Sequence, residues 1–174
     1  MPQRPALMLP DVRATLDFGA ALGACLPTPP PALFLFGGLG AGKTTLVRGL
    51  VESLPGGEDS EPASPSFNIC NLYPTTPPCA HYDLYRLADA GADESSLEEL
   101  AEHLALGRDL VVIEWPEYLP AALRGCDHLE ISIVQAGEGR EILLTSRGEQ
   151  AKIAVHALAS LGHFQMSWTD RTHG

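Results

Sequence analysis

Eight consecutive residues carry the densest chemistry in this 174-residue chain: Gly37-Gly38-Leu39-Gly40-Ala41-Gly42-Lys43-Thr44. They fit the pattern glycine, any four residues, glycine-lysine and a hydroxyl residue. Glycines let a backbone turn through positive φ and wrap closely around a phosphate chain with no Cβ in the way. Successive amides and the N-terminus of a helix starting near Gly42 aim donors and positive dipole at such an anion. Lys43 is then expected to reach β- and γ-phosphates, and the Thr44 hydroxyl to ligate Mg²⁺. Gly38, Gly40, Ala41, Gly42 and Thr45 complete the expected nucleotide contacts, and ATP with Mg²⁺ is the cofactor pair this implies. Lysine is scarce: only Lys43 and Lys152 occur, against nine arginines. One of the two inside a glycine-rich loop is hard to read as incidental.

A site of this kind needs a carboxylate at the end of a neighbouring strand to hold the metal or its water. Two residues qualify. Glu114 closes the apolar run Leu110-Val111-Val112-Ile113, the usual position for such a group at the C-terminal edge of a parallel sheet. It is the better placed of the two, and the expected magnesium ligand beside Thr44. Asp83 ends a weaker strand and is expected to face the γ-phosphate region through water or to polarise a switch segment. Ser64-Pro65-Ser66-Phe67 presents two hydroxyls where such a segment would sense the γ-phosphate. Lys43, Ser66, Asp83 and Glu114 are thus the candidate catalytic residues. Trp115-Pro116, directly after Glu114, reads equally as an exposed platform or as packing.

The elements that must position these groups follow from periodicity and punctuation. Asp11 can cap a helix running to about Leu26, with Val12, Leu16 and Ala20 one turn apart on its apolar face. After the break PTPPPA comes the short apolar strand Leu33–Phe36, suited to burial on both faces. The helix after the loop offers Leu46, Val47, Leu50 and Val51 as a buried stripe. The polar, turn-rich run PGGEDSEPASP reads as a surface loop. Strands are expected near Phe67–Leu72 and Ala80–Leu84, then an acidic helix opened by Asp93 or Ser95 and ended by Gly107. His128–Val134 and Arg140–Ser146 read as a hairpin across AGEG. Residues 149–162 read as an amphipathic helix and 163–174 as a loose polar tail. The pattern predicts one α/β domain over 1–174, a P-loop NTPase-like three-layer fold whose central sheet is mainly parallel with antiparallel edge strands and right-handed crossovers.

Composition sets outer limits. Apolar residues make up 45% and charged residues 19%, which fits a packed core. No run approaches 18 apolar residues, and MPQRPALMLPD lacks a secretory pattern, so a cytoplasmic protein without a membrane role is expected. The four cysteines show neither metal nor disulfide spacing. A formal charge of −11 repels phosphate backbones, so DNA is not an expected partner, and any role with nucleic acid would need a partner to supply the contacts.

In order along the chain, LFGGLGAGKTTLVRGL, SPSF, HYDLYRL and IEWPEYLP resemble the TsaE (YjeE) family, the ATPase of bacterial tRNA threonylcarbamoyladenosine synthesis. The resemblance runs from about Leu16 to Arg140. It implies weak intrinsic ATP hydrolysis, raised on docking to a TsaB–TsaD complex in which TsaD performs the transfer to tRNA. It further implies Thr44 and Glu114 at the magnesium, with Asp83, Ser66 and Trp115 around the active site and Thr15 approaching the nucleotide. Two departures stand out: Gly38 replaces the family's usual aspartate, and Ser66 its usual threonine. Two other readings compete, a small-molecule or nucleoside kinase on the same fold and a nucleotide-gated scaffold whose turnover is not needed. The charge argument predicts little affinity for isolated tRNA at physiological salt; tight filter binding without a protein partner would contradict it.

Overall fold

The protein is described by a computed structural model covering residues 4–60, 62, 69–85, 87 and 94–169. Among these residues the chain runs β1 (Arg4–Leu9), α1 (Val12–Cys25), β2 (Ala32–Phe36), α2 (Lys43–Ser53), β3 (Cys70–Tyr73), β4 (Cys79–Asp83), α3 (Glu94–Leu106), β5 (Leu110–Glu114), β6 (His128–Ala136), β7 (Gly139–Arg147), α4 (Glu149–Ser160) and β8 (Ser167–Thr169). Two short 3-10 turns, Pro116–Tyr118 and Ala121–Leu123, link β5 to β6.

The strands form one eight-stranded sheet in the order β3-β4-β5-β2-β6-β7-β1-β8. β4, β5, β2 and β6 are mutually parallel, and the flanking strands pair antiparallel. The expected parallel centre with antiparallel margins is therefore present, and the hairpin expected across AGEG is β6–β7. The register fixes the site. Leu35 of β2 and Asp83 of β4 both lie opposite Glu114 of β5.

Helices cover both faces, giving three layers. α1, α2 and α4 pack on the face that carries Leu33, Leu35, Val112 and Ile131. α3 covers the other face through Leu100, against Phe34, Tyr82, Val111 and Ile113. β2 and β5 are apolar on both sides because both sides are covered. The stripe Leu46, Val47, Leu50 and Val51 is fully buried, as its spacing predicts. No described helix is long and apolar enough to cross a membrane. Burial pushes the Cys79 thiol up to about 12 and Cys70 to about 11, which makes both poor nucleophiles.

Two expectations need correction, and a third falls partly outside the described residues. The first is the apolar face of α1. Asp11 does cap the helix, accepting from the Ala14 amide at 2.8 Å, but Val12 is exposed and the buried face is Thr15, Phe18, Gly19, Leu22 and Gly23. This face is set by α2, against which α1 packs at glycines. A Cβ on Gly19 would lie 2.3 Å from the Leu46 carbonyl oxygen, and one on Gly49 would lie 2.1 Å from that of Leu16. The second concerns the termini. Residues 4–9 form β1, with Leu7 and Leu9 in the core and Met8 exposed, and Ser167–Thr169 of the expected loose tail pair with it as β8. The third is the start of β3, described from Cys70; Phe67 lies outside the described residues.

Because backbone atoms bound Gly49, Gly49→Ala should lower stability by about 1–3 kcal/mol, the range for overpacked sites. The exposed Arg13–Asp17 pair is the control: Arg13→Ala should cost less than about 1 kcal/mol. Urea unfolding of both variants measures the difference, and a Gly49→Ala protein as stable as its parent would contradict the close helix contact.

Candidate nucleotide site

β2 delivers the chain at Phe36 to the glycine loop, and α2 takes it up at Lys43. Between them Gly42 sits at φ 108°, ψ 15° and Gly40 at φ 74°, left-handed conformations that a Cβ would strain. Gly38 is different. Its φ is ordinary and a Cβ there would meet nothing within 4 Å, so neither conformation nor space demands glycine at that position.

Lys43 is only 5% exposed, and its Nζ folds back onto its own loop. It donates to the carbonyls of Gly37 at 2.6 Å and Gly38 at 3.0 Å, and lies 3.9 Å from the centroid of the Trp115 ring. Burial lowers the lysine pKa, against the opposing pull of Glu114, Asp83 and Glu117. A phosphate chain arriving here would offer charged acceptors in place of two neutral carbonyls.

Across the loop stand the carboxylates. Glu114 is 2% exposed at the end of β5. Its Oε1 accepts from the Thr44 hydroxyl at 3.1 Å and from His81 Nε2 at 3.0 Å. Asp83 ends β4 in register with Glu114, and its Oδ1 accepts from the Tyr85 amide at 3.0 Å. Desolvation raises the Asp83 pKa and the charge of Glu114 adds to this, while the Tyr85 amide, His81 and Lys43 act the other way.

Trp115 adopts φ 58°, ψ 50°, the one non-glycine residue at positive φ among those described. Its ring lies 4.8 Å from Tyr85 and 6.5 Å from Tyr118, centroid to centroid. Neither of the two readings open for this residue stands alone: the ring is half-buried, packs against the core cluster under α3, and lies beside the phosphate loop. Thr15 is buried behind the loop. Its hydroxyl donates to the Asp11 carbonyl at 3.1 Å, and its methyl carbon lies 3.8 Å from where a Cβ on Gly42 would stand. Ser66 lies outside the described residues.

The loop from Leu39 to Thr45, with Asp83, Tyr85, Glu114 and Trp115, encloses a cavity of about 260 Å³. Of the sequence-predicted site residues among those described, it gathers all except Thr15 and Gly38. A larger cavity of about 480 Å³ lies on the opposite face of the sheet around Phe34, Phe36, His128 and Arg147, and it contains none of them. Among the described residues no three His, Cys, Asp or Glu side chains cluster as a preformed metal site. One carboxylate and one hydroxyl 3.1 Å apart beside a phosphate-binding loop do fit Mg²⁺, which takes few protein ligands and fills its shell with phosphate oxygens and waters.

Two neighbours of the site are not among the candidate residues. Arg140, at the start of β7, donates from Nε to the Ala41 carbonyl at 2.7 Å and from Nη1 to the carbonyls of Glu138 and Gly139. It clamps the phosphate loop to the β6–β7 hairpin. Its partner is a backbone atom 99 residues away, which no local pattern reveals. His81 is the other. Its signal was the alternation His-x-Asp on β4, which puts His81 and Asp83 on the same face as Glu114.

A strand, a glycine loop with lysine and threonine, and a carboxylate on the adjacent parallel strand define this as a P-loop NTPase-like fold. The crystal structure of Bacillus subtilis YdiB shares it, with a TM-score of 0.65 over 94% of this chain and 99% of that one, at 24% sequence identity. The profile of the family described as "Threonylcarbamoyl adenosine biosynthesis protein TsaE" matches residues 9–142, and the chain belongs to that family. Among its relatives, the tRNA threonylcarbamoyladenosine biosynthesis protein TsaE of Nostoc sp. is 39% identical over 68% of this chain and 72% of its own length. The protein of the same name from Streptomyces coelicolor is 38% identical over 68% and 81%.

Asp83 supplies a test of the site's electrostatics. Its folded-state pKa lies above the ordinary 3.8, so ionising it in the folded protein costs stability. That cost is absent below pH 3.8, where the carboxyl is protonated in both states, and grows as pH rises through the folded pKa. Asp83→Asn keeps an acceptor for the Tyr85 amide and removes the charge. It should be more stable than its parent at pH 7, with the gap closing as pH falls toward 4. Urea unfolding across that range measures this; a variant less stable at pH 7 would contradict the desolvation argument.

Proposed function

We propose that this chain binds MgATP at the loop 37–44, hydrolyses it slowly, and supports threonylcarbamoyladenosine modification of tRNA by acting on a TsaB–TsaD complex. The observation that carries the nucleotide reading is the pair Thr44 and Glu114, 3.1 Å apart where the phosphate-loop helix meets the neighbouring parallel strand. Membership of the TsaE family supports the pathway.

Each residue then has a task that its chemistry allows. The loop amides and the α2 N-terminus hold the phosphates. Lys43 exchanges the Gly37 and Gly38 carbonyls for phosphate oxygens, which gives a buried ammonium a full charge partner. Thr44 and Glu114 hold magnesium, whose bound charge would neutralise the β- and γ-phosphate oxygens. Asp83, within the same cavity, orients the attacking water, and Ser66 senses the γ-phosphate. The Trp115 ring forms the wall beside Lys43. With a net charge of −11, contacts to the tRNA fall to the partner proteins, and the protein acts in the cytoplasm.

Thr44→Ala and Glu114→Ala should each lower magnesium-dependent ATP turnover about 100-fold or more, the loss expected when several kcal/mol of metal stabilisation go. Phosphate release, measured with and without purified TsaB–TsaD and tRNA, is the assay. Near-parental rates in both variants would refute the site assignment, and a rate indifferent to TsaB–TsaD would refute the partner.

A further inference from the structure

We infer that His81 is a positioning residue for the metal site: it anchors the Glu114 carboxylate so that the carboxylate stays in place when Thr44 and Glu114 turn to magnesium. The inference rests on the reading of Glu114 as a magnesium ligand.

The ring is fully buried, and Nε2 lies 3.0 Å from Glu114 Oε1, itself a buried atom. A carboxylate oxygen only accepts, so Nε2 carries the hydrogen and donates. The other ring nitrogen, Nδ1, is buried with no hydrogen-bond partner among the described residues. An orphaned buried nitrogen is costly, and an apolar side chain of similar shape would avoid the cost. Burying an imidazole here therefore gains one specific thing, the bond to Glu114. The ring's orientation is fixed from outside that bond. β4 places it between Tyr73, whose ring stacks at 6.4 Å and 26°, and the buried strand β5, where Val112 is its register partner.

Two donors converge on Oε1, and they differ in what they can do next. The Thr44 hydroxyl turns about one bond at the mouth of the cavity. His81 is locked in the sheet. If magnesium engages the hydroxyl, the Thr44 bond to Oε1 is given up, and His81 is the contact that persists. Buried partners of this kind, one bond removed from the metal, typically tune its affinity 10–100-fold.

The test measures metal coupling without turnover: the ADP dissociation constant by calorimetry, in excess magnesium and in EDTA. His81→Leu should reduce the magnesium-dependent gain in ADP affinity by about 10-fold or more, while the value in EDTA moves less than about 2-fold. His81→Gln, whose amide nitrogen reaches the Nε2 position, should retain the gain, and His81→Asn, one carbon shorter, should lose it. In a Glu114→Ala background, His81→Leu should change nothing further. A parental gain in His81→Leu overturns the proposal, as does equal loss in the Gln and Asn variants or an additive loss in the double variant. Should His81→Leu not fold, the Gln and Asn pair decides alone. If Glu114→Ala itself leaves the magnesium gain intact, the metal reading of Glu114 has failed rather than the role of His81.

Discussion

A carboxyl group buried to 2% exposure at the end of a central strand makes demands on everything around it. Moving such a charge out of water costs several kcal/mol in real proteins, even after relaxation, and only well-placed donors offset the cost. Glu114 finds them on two separate elements, Thr44 in the first turn of α2 and His81 on β4. The carboxylate therefore ties the N-terminus of the phosphate-loop helix to two neighbouring strands. With α2 held there and Phe36 held in β2, the residues between have a short fixed gap to span. They span it as a loop with left-handed glycines at 40 and 42. The phosphate-binding curvature is thus partly a consequence of where its two ends are fastened.

The loop is also braced from outside. On one flank α1 presses against α2 through Gly19 and Gly49, close enough that carbonyl oxygens occupy the space of the missing Cβ atoms. Thr15 rides on the same helix and brings its methyl group up behind Gly42. On the other flank Arg140 reaches from the β6–β7 hairpin to the Ala41 carbonyl. Those braces act on backbone, and the Lys43 side chain is the part left to rearrange. Its contacts are two neutral carbonyls and an aromatic face.

The sequence showed most readily what depends on local pattern. β2, β5 and α2 were legible because short apolar runs and a 3.6-residue stripe are buried as their patterns require, and Glu114 because it stands at the end of such a run. The α1 face was misread because the closest contacts are made by glycines, which a count of apolar residues passes over. β1 and β8 are short and depend on one another and on β7 for their hydrogen bonds, so neither announces itself alone. His81 looked like one more strand residue, and only the register that sets β4 against β5 shows what it touches. Arg140 was hidden by sequence distance, since its function is to hold a backbone atom far along the chain. The glycine at 38, conspicuous in the sequence, turns out to have no steric cause: the structure leaves room there for a larger residue.

Trp115 shows how far local cost and local function can oppose one another. A bulky residue in the left-handed region costs about 1–3 kcal/mol and persists only where its surroundings over-determine it. An ammonium over an indole face returns about 0.5–2 kcal/mol, depending on desolvation, so the Lys43 contact alone does not clearly cover the strain. The remaining support comes from the neighbouring rings of Tyr85 and Tyr118, and from Pro116, which begins the 3-10 turn immediately after it. A relaxed backbone at this position would carry the indole away from the lysine and open that wall of the cavity. The strained conformation is therefore the one that keeps an aromatic surface against the phosphate loop, one residue beyond the carboxylate that holds the loop's helix in place.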